Sequence, residues 1–137
     1  MSSTINFITG MTSVYYAAAE LSERGFIVTV TARNAPHADI IASTIDMKKT
    51  FSIQVKGNKA GGTQSFWLLN KDSKNLSSQD FFYVFVNLKK DIKPDFYIVP
   101  SGEVARNVDF SRAKTGSQWY SFRRDEKYKD KWSTFND

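Results

Sequence analysis

Three side chains define the chemistry this sequence can do: Asp39, Gln54 and Lys56. Gln54 and Lys56 belong to the run Ser52-Ile53-Gln54-Val55-Lys56, which reads as a strand. Phe51, Ile53 and Val55 fall on one face, and Ser52, Gln54 and Lys56 on the other. The apolar face suits a core. The polar face sets an amide and an ammonium about 7 Å apart along one strand. Asp39 lies in an earlier strand-like run, Ala38-Asp39-Ile40-Ile41-Ala42. Paired as a hairpin, the two runs can bring Asp39, Gln54 and Lys56 to one surface. A carboxylate beside an amide carbonyl and a lysine is a donor set for a divalent cation and an activated water.

Composition narrows the choice of cation. The chain has no cysteine and a single histidine, His37. That excludes thiolate and His-rich zinc sites and argues against a Ser-His-Asp triad. A metal here would be a hard, oxygen-bound ion, Mg²⁺ or Mn²⁺. The formal net charge is +5, and its distribution is uneven. From Met47 to Lys71 the sequence carries Lys48, Lys49, Lys56, Lys59 and Lys71 and no acid. Such a stretch is either a phosphate-facing surface or a solvated lysine-rich one.

The elements that must position these groups follow from periodicity. The 137 residues, 41% hydrophobic and 15% aromatic, are enough for one folded domain with its own core. The expected core spans about residues 11–108, followed by an aromatic and basic segment over 109–137. Residues 1–10 read as polar and loosely held. A helix is expected from about Met11 to Arg24, with Val14, Ala17, Ala18 and Leu21 as its apolar stripe, Thr9 or Thr12 as its cap and Gly25 as its stop. Glu20 sits at the edge of that stripe, facing a cleft or lying at an ordinary helix boundary. Phe26–Thr31 reads as a strand, and the Asn and Pro of residues 33–37 as a turn.

After the Gln54–Lys56 strand, Gly57, Gly61 and Gly62 mark a loop that lacks the Gly-Lys-Ser/Thr ending of a P-loop. Phe66–Leu69 reads as a short strand, Lys71–Gln79 as loop or helical turn, and Phe81–Leu88 as a strand buried on both faces. Phe96–Val99 is a further strand, ended by Pro100. Ser101 can cap a helix running to about Val108, with Glu103 in its first turn. In the last segment, Trp119, Tyr120, Phe122, Tyr128, Trp132 and Phe135 alternate with Arg and Lys. Such a pattern serves either nucleic-acid binding or packing of the rings on the sheet.

The order of a helix with Glu20, a second strand with Asp39 and a third with Gln54-Val55-Lys56 resembles the PD-(D/E)XK nuclease superfamily. The resemblance covers mainly Met11–Lys56 and is nearest to the Holliday-junction-resolvase and type IV restriction-enzyme branch, in which Gln can replace the acid before X-Lys. It implies an α/β, restriction-endonuclease-like fold, a central mixed sheet flanked by helices with an αβββαβ-type core. By the same resemblance, Asp39 is the main metal ligand, Gln54 a neutral one, the Val55 carbonyl a third, and Glu20 a helix acid that completes the metal shell. Lys56 orients or helps deprotonate the attacking water and stabilises the charge that develops on phosphorus. The sequence departs from the family pattern at Gln54, which removes one negative charge. It departs again at Pro36, three residues before Asp39 rather than adjacent to it.

The expectation is therefore a Mg²⁺- or Mn²⁺-dependent DNA endonuclease; one small site reaches one strand, so a double-strand cut calls for a homodimer or two events. Two other readings stay open: a nuclease-fold module that binds nucleic acid without cutting, and a protein-interaction module built on the aromatic C-terminal third. No signal peptide and no apolar run of membrane-spanning length are legible, so a cytoplasmic setting is the default expectation.

Overall fold

A computed structural model describes residues 3–32, 36–59 and 65–136. The chain begins with α1 (Ser3–Glu23) and a three-stranded antiparallel run of β1 (Ile27–Val30), β2 (Ile40–Ser43) and β3 (Thr50–Asn58). Helix α1 starts well before Met11: residues 3–10, expected to be loose, are helical. Neither Thr9 nor Thr12 therefore caps its start. Its end is as the sequence expects. Gly25 has φ +96°, its amide donates to Ser22, and the Phe26 amide donates to Leu21. That is the paired hydrogen-bond pattern of a left-handed helix stop, which only glycine adopts without strain.

From β3 the chain crosses over through β4 (Phe66–Leu69) and a 3₁₀ turn (Lys71–Asn75), then enters β5 (Phe81–Lys89) parallel to β3. No α-helix fills this crossover among its described residues, in keeping with the lack of helical apolar periodicity there. β6 (Ile92–Pro100) returns antiparallel to β5. Helix α2 (Ser101–Arg106) leads to β7 (Asp109–Arg112) and β8 (Gln118–Arg123). Ser101 does not cap α2. Its hydroxyl donates to the Ser78 carbonyl and accepts from the Ser78 amide, pinning the start of α2 to the loop before β5.

The result is a mixed five-stranded sheet in the order β1-β2-β3-β5-β6 and a three-stranded antiparallel sheet in the order β4-β8-β7. This is the expected α/β architecture, a central mixed sheet with helices; the αβββαβ order departs in its second helix, whose place between β3 and β5 is taken among the described residues by β4 and a 3₁₀ turn. The large sheet buries side chains on both faces, as the unbroken run Phe81–Leu88 implies. Ile53, Val55, Val84 and Val86 pack with Val14, Ala17 and Leu21 of α1. Tyr83, Phe85, Tyr97 and Val99 pack on the other face with Trp67, Leu69 and Phe122 of the small sheet. One contact sets how closely α1 lies over β3. A Cβ on Gly57 would stand 1.8 Å from the Ser13 hydroxyl oxygen, so this position has no room for any side chain.

The C-terminal segment resolves mostly in favour of packing. Phe122 and Tyr128 join the core beneath the small sheet, while Trp132 and Phe135 join the core under α1. To get there the chain runs along the free edge of β6. Tyr97 bridges Lys129, and the Asp130 amide donates to the Phe96 carbonyl at 2.9 Å. An otherwise open sheet edge is covered in this way.

Candidate functional site

The site forms where β2 stops short and β3 continues. The ladder pairs Ile40 with Ile53, and the Asp39 amide still donates to the Ile53 carbonyl at 2.8 Å. Beyond that point no backbone among the described residues pairs with β3 on the β2 side. The Asp39 side chain takes the place of the missing strand: its Oδ2 accepts the Val55 amide hydrogen at 2.8 Å. In a strand the N–H and C=O of one residue point to the same edge. The Val55 carbonyl therefore faces the gap that Asp39 occupies. A carboxylate and a peptide carbonyl are thus brought together by the end of one strand.

Lys56 comes next, and alternation turns its side chain to the face of β3 that looks at the small sheet, beside Phe85. Asp39 and Lys56 do not form a direct ion pair, yet each feels the other's charge. Burial raises the Asp39 carboxyl above its ordinary value, opposed by the Val55 hydrogen bond and by Lys56. Burial lowers the Lys56 ammonium, opposed by Asp39. Partial desolvation shifts both groups toward their neutral forms, as befits a pair drawn out of bulk water. Gln54 lies on the Lys56 face, half-buried.

Asp39 and Lys56 therefore open to different sides of the sheet, and Gln54 lines neither of the two cavities they face. Asp39 and Val55 line a cavity of about 270 Å³ toward the helix, walled by Gly10, Met11 and Val14 of α1 and by Val30 and Thr31. Lys56 lines a larger cleft of about 880 Å³ on the opposite side, walled by the small sheet. A single flat surface carrying Asp39, Gln54 and Lys56 is not what the hairpin produces. Asp39 reaches into the plane of the sheet and so lies between the two faces.

Glu20 lies apart from these groups. Its carboxylate is buried in ion pairs with Lys93 and, at 3.5 Å, with Arg24. Gly57 and Val55 lie under Ser13 and Val14. Glu20 stands six residues beyond Val14, about 9 Å further along the helix, and it does not line the cavity that Asp39 lines. The expected helix acid is thus placed apart from Asp39, with its charge offset by two cations at the far end of α1. Among the described residues no three Asp, Glu, His or Cys side chains gather as a metal cluster.

The donors that remain are the Asp39 carboxylate, the Val55 carbonyl and the Gln54 amide oxygen. All are oxygens, which fits Mg²⁺ or Mn²⁺ in kind. With one formal negative charge, the set is a weak trap for a free ion and leaves several coordination positions to water or to phosphate oxygens.

The basic stretch is divided between locations. Lys48 and Lys49 sit at the turn between β2 and β3, whereas Lys56 is turned inward. The loop glycines Gly61 and Gly62 lie outside the described residues. The Lys56 cleft is also lined by Trp119 and Arg123, from the aromatic and basic segment left open between nucleic-acid binding and packing, and by Phe66 and Leu68, which the sequence did not mark as a site. The signal was alternation within Gln118-Trp119-Tyr120-Ser121-Phe122-Arg123, in which Tyr120 and Phe122 turn inward and Trp119, Ser121 and Arg123 turn out.

No protein-family model matches the sequence, and no curated protein matches it. The fold does have counterparts among solved structures. A bacterial homing endonuclease is similar over 96% of this chain and 90% of its own, with 16% identity and a TM-score of 0.56. A Holliday junction resolvase from the archaeal hyperthermophile Archaeoglobus fulgidus is similar over 93% of this chain and 87% of its own, with 13% identity and a TM-score of 0.51. At these identities the shared property is the fold, and it extends along nearly the whole chain. Among the described residues no helix is long and apolar enough to cross a membrane.

Proposed function

We propose that the protein is a metal-dependent endonuclease that hydrolyses phosphodiester bonds in DNA, with Asp39, Gln54, Val55 and Lys56 as its site. The observation that carries this reading is the Asp39–Val55 hydrogen bond at the end of β2. It holds a carboxylate at the gap into which the Val55 carbonyl also points, one residue from the half-buried Lys56. Similarity of fold to a homing endonuclease and a Holliday junction resolvase supports the same reading.

In this reading Asp39 and the Val55 carbonyl hold Mg²⁺ or Mn²⁺, with Gln54 as a neutral third donor. The bound ion would polarise the phosphate and lower the pKa of an attacking water. Lys56 orients that water and faces the negative charge that develops on the phosphoryl oxygens, where a desolvated ammonium acts most strongly. Water adds to phosphorus, the bridging P–O bond breaks, and the leaving oxygen takes up a proton. The lone carboxylate implies that phosphate oxygens of the DNA help to complete the coordination shell. Metal affinity should therefore rise when substrate is present.

The test is cleavage of plasmid and of branched DNA with Mg²⁺ or Mn²⁺, beside Asp39→Ala. Cleavage by the wild type that vanishes in a folded Asp39→Ala variant supports the assignment, and retained cleavage in that variant defeats it. The same single carboxylate favours one second reading, a nuclease-fold module that binds DNA without cutting. That reading predicts salt-sensitive DNA binding, unaffected by Asp39→Ala, and no cleavage with either metal.

A further inference from the structure

The small sheet buries one face on the core, and the described residues leave the other uncovered. On the uncovered face lie Phe66, Leu68 and Trp119, exposed by 41%, 52% and 49%. Strand register puts Phe66 opposite Arg123 and Leu68 opposite Ser121, with Trp119 on the same face of β8 two residues beyond Ser121. This face forms one wall of the roughly 880 Å³ cleft whose other wall is the end of β3, with Lys56 and Asn58. An apolar, ring-bearing face beside the group assigned to catalysis is a candidate contact surface.

We propose that this cleft binds an unpaired stretch of the DNA strand being cut, with bases stacked on Trp119 and Phe66 and phosphates held by Arg123 and Lys56. The proposal rests on the nuclease reading for the identity of the strand and the role of Lys56. Charge and shape select this occupant. Among the described residues neither Arg123 nor Lys56 has an ion-pair partner, so two cations along the cleft are free to meet phosphates. Aromatic rings on a flat sheet match the open faces of unpaired bases, which a duplex hides in its own stack. Asp109, the one acid in the lining, stands opposite Ser121. A carboxylate there repels phosphate but accepts from the amino groups of base edges, so bases lie toward β7 and the backbone toward Arg123. The Asn58 amide, with neither its oxygen nor its nitrogen hydrogen-bonded among the described residues, adds unused polar capacity to the same wall.

Tryptophan fluorescence reads this site selectively. Trp67 and Trp132 are 2% and 4% exposed, so Trp119 is the accessible ring of the three. The experiment titrates the full chain, with EDTA to prevent cleavage, with a short oligothymidylate and with a blunt duplex of equal length. The single strand should quench the fluorescence, and the duplex should quench it less. By anisotropy of a labelled single strand, Trp119→Ala should weaken binding roughly 5- to 100-fold, the range for loss of one stacked base, while Trp119→Phe keeps most of the affinity. Thermal melting confirms that each variant is folded. Unchanged affinity in a folded Trp119→Ala, quenching by duplex alone, or no quenching by either DNA overturns the proposal. The last result is also what a protein occupant of the cleft would give. Binding is measured without metal, so its outcome is independent of the cleavage test. Stacking with no cleavage would sink the nuclease reading alone, and cleavage with unaltered binding in Trp119→Ala would sink this inference alone.

Discussion

The Asp39 carboxylate stands in for a missing strand, accepting the Val55 amide hydrogen at 2.8 Å where β2 ends and β3 runs on. The bond has a structural side and a chemical one. It satisfies a strand amide that would otherwise be left without a partner. It also fixes a half-buried carboxylate whose ionisation the fold opposes.

That opposition gives Asp39→Asn a signed stability effect. The folded pKa of Asp39 is raised above 3.8, chiefly by burial. The folded state therefore binds the proton more tightly than the unfolded state does. The stabilisation it contributes is complete below 3.8 and is lost as pH rises through the raised folded value. Asparagine keeps an oxygen for the Val55 amide and carries no charge. Urea midpoints should show Asp39→Asn gaining on the wild type as pH climbs from about 4 to neutrality, while cleavage is abolished. A variant less stable than the wild type at neutral pH would mean that the carboxylate is held by something stronger than this hydrogen bond.

Lys56 should leave its mark on the alkaline side. Burial lowers its pKa below 10.5, and the Asp39 charge only partly opposes that shift. A lysine acting as the cation beside the phosphoryl oxygens must be protonated. The cleavage rate should therefore fall with rising pH, with a midpoint below 10.5. Arginine keeps its charge throughout this range, so Lys56→Arg should flatten that limb. Lys56→Met should cost roughly 10²–10³-fold at neutral pH, the scale for losing one preorganised electrostatic partner. Rate measurements across pH on the three proteins check this, and full activity in Lys56→Met would remove Lys56 from the mechanism.

Glu20 should behave as a structural residue. Its carboxylate is 8% exposed and pairs with Lys93 and Arg24, tying the end of α1 to the start of β6. Glu20→Gln keeps the shape and removes the charge, so the melting temperature should drop. Cleavage per folded molecule and its dependence on Mn²⁺ concentration should stay at wild-type values. A variant that melts like the wild type but needs more Mn²⁺ would return Glu20 to the metal shell.

The elements were legible in the sequence wherever a strong local signal existed. Alternation through Phe51–Lys56 marked β3, and the unbroken apolar run at Phe81–Leu88 marked a strand buried on both faces. Gly25 marked the end of α1 through its backbone freedom. The start of α1 was hidden because Ile5, Phe7 and Ile8 remain exposed and so give no stripe to read. Near the proposed site, the placement of Asp39 at a strand end and of Lys56 on the polar face of β3 was legible because a strand end and a two-residue period fix both locally. The partners of Glu20 were not legible because its position at the stripe's edge is compatible with many. The choice of Lys93 depends on the β5–β6 hairpin, some seventy residues away. Whether Trp119 packs on the sheet or faces a ligand stayed open in the sequence for a related reason. Which side of β8 is buried is decided by its contacts with β4 and the large sheet, not by β8 itself.

The close approach of α1 to β3 can be tested by filling it. A Cβ at position 57 would stand 1.8 Å from the Ser13 hydroxyl oxygen and 2.6 Å from its Cβ. The Ser13 hydroxyl is held by the Thr9 carbonyl at 2.8 Å, so it is not a loose end that swings aside cheaply. Gly57→Ala should therefore push α1 off the sheet and destabilise the protein by about 1–3 kcal/mol, as overpacking does elsewhere. Ser13→Gly removes both clashing atoms but places glycine in mid-helix, at a cost of about 0.5–1 kcal/mol. Combined, the two substitutions should be markedly less damaging than the sum of the singles, a coupling that denaturant unfolding of the four proteins would read directly. Strict additivity would mean that α1 does not rest on Gly57. Coupling in stability together with reduced cleavage in Gly57→Ala would show that the helix seat also sets the position of Val55 and Lys56.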